Sequence, residues 1–199
     1  MELDKKVGKQ INIAIQEDRY VDAISLIRKE LKHCEKTFND DTHWLWACLS
    51  CAYYERRKYP LAVKYAQKAV TKSPYCPLSL WYHGSALDMW GRKTRNAYVK
   101  EWCLKLAELT FRKMLAMGWK RCAFMTPCGE GESKAKALLN DARYRLFLIY
   151  WHHKDYKNAA KWSRLHLSFR AKGQKSIYTK REVLRDIKLM EKERGNESQ

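Results

Sequence analysis

Long apolar runs are missing from this chain. Nowhere do the roughly 18 consecutive apolar residues of a membrane helix occur, and the opening MELDKKVGKQ is charged where a secretion signal would be apolar. These absences predict a soluble protein that stays in the cytoplasm, with no membrane insertion. Glycine and proline are scarce, 8 and 4 in 199 residues, and no Asn-Gly or Asp-Gly joins alternating β-branched stretches, so hairpins and sheets are not expected. Acidic residues are outnumbered, 22 against 40 lysines and arginines, for a formal net charge of +18. A surplus of that size attracts phosphates, acidic proteins or anionic lipid but does not decide a fold.

Complete chemical motifs are also wanting. The seven cysteines are odd in number and dispersed, from Cys34 to Cys128, which predicts reduced thiols rather than a disulfide framework. Cys48 and Cys51 have the spacing of half a zinc site, yet no second Cys pair follows, and the adjacent His152 and His153 would diverge on a helix. No metal is expected. GEGESK at 129–134 lacks the Gly-Lys-Ser/Thr ending of a phosphate loop, and its two glutamates would repel an anion; a flexible linker is expected there. The six histidines form no nucleophile–base arrangement, so the chain is expected to be non-enzymatic, with no catalytic residue and no cofactor.

What is present is helical period. Ile11 and Ile15, then Ile24, Ile27 and Leu31, then Leu138, Leu139, Ala142, Leu146 and Ile149 recur at three- and four-residue spacing. The pattern predicts an all-α chain with helices near 3–17, 20–36, 42–56, 59–72, 77–90, 95–117, 133–153, 156–171 and 177–194. Asp40-Asp41, Ser73-Pro74 with Pro77, Gly91 and Gly118 are the expected caps and stops, because short polar side chains satisfy first-turn amides and proline cannot continue a helix. Thr126 to Gly131 is the expected loop, and the last residues, 196–199, are expected to fray.

The stretch 43-HWLWACLSCAYYERRKYPLAVKYAQKAVTKSP-74 resembles a tetratricopeptide repeat (TPR). Trp46, Leu49, Ser50 and Tyr53 stand where that family has its large, large, small and aromatic first-helix residues; Tyr59 sits at the turn, Ala62 and Ala69 are the small second-helix residues, and Pro74 ends the unit. Ala66 departs from the pattern, where something large is preferred. A second copy runs from Arg143 to Gly173 with Leu146, Tyr150, Asp155-Tyr156 and Ala159, though Phe147 replaces the small residue. Asp18-Arg19-Tyr20 with Ala23 gives the turn of another; Leu80, Gly84, Leu87 and Gly91 give one more first helix, whose partner is displaced so that Ala107, Phe111 and Met114 take its positions. The resemblance implies a right-handed α-solenoid, a single domain over 1–195 with hairpins near 3–36, 42–74, 77–118 and 133–173, and a capping helix near 177–194.

It also implies which face binds. The inner face of the first helices would carry Trp44 and Tyr54, then Trp81 and Tyr82, then Tyr144, Arg145 and Trp151. Chaperone-binding members of the family clamp a terminal carboxylate on this face, but Cys48, Leu78 and Tyr82 hold those positions here, so that ligand is not expected. The expectation is a scaffold or adaptor whose aromatic groove takes a protein or peptide, an acidic one favoured by the charge. The alternative is RNA or DNA binding by the basic segment 143–181, where eleven Lys and Arg face the single acid Asp155. Lys154, Lys157, Lys161, Arg164, Arg170 and Lys172 would then meet phosphates. The segment 91-GRKTRNAYVKEWC-103 is expected to project as a basic, aromatic tip.

Overall fold

A computed structural model describes residues 5–36, 42–125 and 129–197. Among them are nine helices and no strand: α1 (Lys5–Gln16), α2 (Tyr20–Lys36), α3 (His43–Glu55), α4 (Tyr59–Lys72), α5 (Pro77–Lys93), α6 (Ala97–Phe124), α7 (Glu132–His152), α8 (Tyr156–Ala171) and α9 (Lys180–Glu197). The fold is all-α, as the helical period requires. Asp40-Asp41 and Thr126 to Cys128, assigned to a cap and a loop, lie outside the described residues. The chain divides into two compact units, Met1–Trp90 and Gly91–Gln199. In the first, α1 packs on α2, α2 on α3 and α3 on α4; in the second, α6 packs on α7, α7 on α8 and α8 on α9.

Three of the helix-to-helix turns are built alike. Asp18, Arg57 and Lys154 take φ of 58, 57 and 60°, and the amide after each reaches back five residues, to Ala14, Tyr53 and Tyr150. This is the Schellman closure, in which one left-handed residue satisfies the last carbonyls of a helix and turns the chain back on itself. A tyrosine follows two residues later in every case. Small residues then let the paired helices approach: Ala23, Ala62, Ala66, Ala69 and Ala159 are buried, and the Ser50 hydroxyl donates to the Ala62 carbonyl at 2.9 Å. Phe147, at the small position of the last hairpin, is fully buried and stacks on Trp151 at 5.8 Å.

Several expectations need correction. Gly91 does not stop α5, which continues to Lys93; its role is close approach, since a Cβ there would lie 2.9 Å from Leu104 Cγ and 3.1 Å from Cys103 Cβ. The segment 91–103 is therefore partly packed. Only its middle forms a turn, where the Asn96 side chain accepts from the Val99 amide, and Tyr98 is 89% exposed. Gly118 does break the helical path, at φ 72°, but the chain resumes as helix to Phe124. Residues 129–131 are not a free linker: the Glu130 and Gly131 amides donate to Cys122 and Ala123 carbonyls at 3.1 Å. Those amides are thereby unavailable to a phosphate. The last helix starts later than its period suggested, because Thr179 and Glu182 form a capping box. It also persists through Glu197, which binds Lys154 at 2.6 Å instead of fraying.

Candidate anion-binding cleft

The first unit has a cleft of about 870 Å3 between α2 and α4, floored by α3. Its walls follow from the amphipathic pattern. Burying Ile24, Ile27 and Leu31 on one side of α2 leaves Arg28, Lys29 and Lys32 in water; burying Ala62, Val63, Ala66 and Ala69 of α4 leaves Lys64 and Lys68 there. On α3, Trp46, Leu49 and Tyr53 recur at helical spacing and face the cleft.

The floor is a ladder of rings. Trp46 and Tyr53 stand two helical turns apart, about 10.5 Å along the axis, and Tyr65 of α4 inserts between them. Its ring lies 5.7 Å from Trp46 and 5.3 Å from Tyr53, with planes 7 and 17° apart. Lys68 Nζ sits 4.3 Å over the Trp46 ring. At the other end Arg28 Nη2 donates to the Tyr53 hydroxyl at 2.7 Å. Stacked pairs of this kind contribute about 1 kcal/mol each beyond their burial, so the stack itself stabilises the floor.

Around it stand Arg28, Lys29, Lys32, Arg56, Lys64 and Lys68 against one acid, Glu35. None of these six cations pairs with a carboxylate among the described residues. The second unit holds a matching cluster with a different charge balance. There Arg112 donates to the Tyr150 hydroxyl and, at 2.7 Å, to Glu108, which also accepts from Tyr150. The Arg112 guanidinium lies 5.9 Å from the Tyr150 ring centre and 6.0 Å from that of Trp162.

The residues expected to form an inner groove are largely engaged with other side chains. In the first unit Trp81 is 8% exposed, and Trp44, Tyr54 and Tyr82 are half-buried. Tyr54 packs edge-on against Tyr59 at 5.6 Å, and Tyr82 bonds the Cys51 thiol, which burial pushes up to about 11. In the second unit α9 covers the expected face of α7. Tyr144 donates to Asp186 at 2.5 Å, Trp151 to Glu193 at 2.6 Å, and Arg145 stacks 5.5 Å from the Tyr178 ring. Burial and the Asp186 bond hold the Tyr144 phenol well above its usual range. Beneath the start of α9, buried Asp141 accepts from Ser176 Oγ at 2.5 Å and the Ile177 amide at 3.3 Å. Desolvation there raises its carboxyl to about 6, although both bonds and Arg145 and Arg170 oppose the shift.

The basic hairpin is exposed in part. Lys157, Lys161, Arg164 and Lys172 face water, Lys154 is engaged by Glu197, and Arg170 donates to the Tyr178 carbonyl at 2.5 Å. Cys48 and Cys51 are buried in α3, and no three His, Cys, Asp or Glu residues cluster as a metal site among the described residues. No described helix is long and apolar enough to cross a membrane. Sequence reasoning missed the cleft because Trp46 and Tyr53 stand at the large and aromatic first-helix positions of the repeat pattern and not among the inner-face residues. The available signal was the cationic flank, Arg28-Lys29 with Lys32 and Lys64 with Lys68, at spacings that put each set on one side of a helix. In comparisons with known proteins, no family model, no curated protein and no solved structure matches the chain.

Proposed function

We propose that the chain is a non-enzymatic scaffold of TPR-like hairpins and that its partner is acidic, bound at the cleft between α2 and α4. The observation that carries this reading is the set of six cations, without carboxylate partners among the described residues, around a stacked aromatic floor. Charge held in this way, with one acid nearby, is balanced by a ligand or by counterions, and a partner that displaces counterions gains both affinity and speed of association. Among the described residues the lining contains no histidine or cysteine and a single carboxylate, a composition suited to binding. The three like turns and the alanine-lined helix pairs support the repeat assignment.

Nucleic acid at the basic hairpin is the second reading, favoured by exposed Lys157, Lys161 and Arg164 on one helix. Two double charge reversals separate the readings. Lys29→Glu with Lys32→Glu is expected to lower affinity for the native partner about tenfold or more and to flatten its salt dependence, as measured by quantitative capture at two ionic strengths. Lys157→Glu with Lys161→Glu is expected to leave capture unchanged. The reverse pattern would move the site to α8.

A further inference from the structure

Resting on the reading of the cleft as the binding site, we infer that its ligand is an acidic segment of a protein, one carboxylate of which seats on Arg28 and Tyr53. The second unit supplies the pattern. Arg112 follows Ala107 by five residues as Arg28 follows Ala23, and Tyr150 and Trp162 match Tyr53 and Tyr65 in the same register. In that cluster one carboxylate oxygen of Glu108 accepts from both the arginine and the phenol. Glu108 lies one turn before Arg112; one turn before Arg28 the chain has Ile24. Among its described residues the first unit thus keeps the arginine–phenol pair and has no carboxylate bonded to it as Glu108 is in the second.

The chemistry of the seat is ready for an incoming acid. Arg28 is exposed and spends one of its five N–H donors on a neutral hydroxyl. Tyr53, accepting from Arg28, retains its own proton to donate, as Tyr150 does to Glu108. Charge-assisted bonds of this type are roughly twice as strong as neutral ones. Lys29, Lys32, Lys64 and Lys68 then favour further acids beside the seated one. At about 870 Å3 the cleft has the size of a small-ligand pocket, so it takes a few residues of chain and not a folded domain.

The same floor disfavours single-stranded nucleic acid. Sequence-tolerant strand binding uses open ring faces on which bases stack. Here Tyr65 has a ring on each side and Lys68 lies over Trp46. The site also differs from the inner-face positions: Trp46 and Cys48 are two residues apart, hence on different sides of α3.

Fluorescence anisotropy of the full chain with labelled hexaglutamate, hexaglutamine and hexauridylate, at near-physiological salt, tests the inference. Hexaglutamate is expected to bind, hexaglutamine about tenfold more weakly or worse, and Arg28→Ala and Ile24→Glu each to cost about tenfold, while Lys157→Glu changes little. Ile24 is buried, so if its variant melts early, Arg28→Ala at an exposed position carries the result. Hexaglutamate binding indifferent to Arg28→Ala overturns the seat. Hexauridylate binding as tightly as hexaglutamate, and lost with Lys29→Glu and Lys32→Glu, overturns the peptide assignment and leaves the cleft as an anion site. Absence of cleft-dependent binding for all three probes overturns both.

Discussion

Asp141 is a carboxylate kept in a place that disfavours its charge. It is 1% exposed, and it accepts from Ser176 and the Ile177 amide at the approach to α9. Its folded-state value of about 6 lies above the ordinary aspartate value of 3.8. The folded chain therefore holds this proton more tightly: the contribution to stability is full below about pH 4 and is lost as pH rises through about 6. The span is worth at most about 3 kcal/mol. Asp141→Asn retains an acceptor and removes the charge. The melting temperature of the natural chain minus that of the variant is expected to fall between pH 4 and pH 7; a difference that stays flat would mean the carboxylate is better solvated than its burial implies. None of this was legible beforehand, because Asp141 reads as an ordinary polar residue on a helix until the 176–178 segment is laid over it.

At the level of elements, Gly91 sets two effects against each other. Alanine in a helix interior is favoured over glycine by about 1 kcal/mol, whereas overpacking a close contact costs about 1–3 kcal/mol. The added Cβ would meet Leu104 Cγ at 2.9 Å and Cys103 Cβ at 3.1 Å, atoms near the backbone that move only with α6. Gly91→Ala is expected to lower stability by about 1–2 kcal/mol net, measured as a shift in the urea midpoint; a gain would show that α5 and α6 have room to part. Helix spans were readable because each amphipathic stripe is local. The second and fourth helices start and end where the period placed them, Tyr20–Lys36 and Tyr59–Lys72. The role of Gly91 was not readable, since a glycine that stops a helix and one that admits a neighbour look alike in a string.

For the molecule as a whole the governing quantity is +18. Like charges repel in the compact state, and salt screens them over about 8–10 Å at 0.10–0.15 M. Ion pairs such as Arg19 with Glu17 and Lys154 with Glu197 lie at the surface, where each is worth about 0–1 kcal/mol. Screening is therefore expected to relieve more repulsion than it loses attraction, and the thermal midpoint to rise between low salt and about 0.3 M sodium chloride. A fall would mean that networks such as Glu108, Arg112 and Tyr150 dominate. The charge count located the surplus in 143–181, but part of that surplus is engaged: Lys154 by Glu197 and Arg170 by the Tyr178 carbonyl. The rim of the α2–α4 cleft, made from two short stretches 36 residues apart at Arg28 and Lys64, keeps cations that meet no carboxylate among the described residues.

By itself the sequence determined the helices, their turns and the small residues at which they meet, because all of these arise from interactions within a few positions along the chain. Tertiary structure decided which faces remain open. α9 folds over Tyr144 and Trp151, and Tyr65 inserts between Trp46 and Tyr53. The exchange of Glu108 for Ile24 at equivalent places leaves one arginine–phenol pair filled and the other open. Such outcomes depend on side chains brought together from 12 to 42 residues apart, where burial and charge pairing compete and periodicity along the chain carries no information.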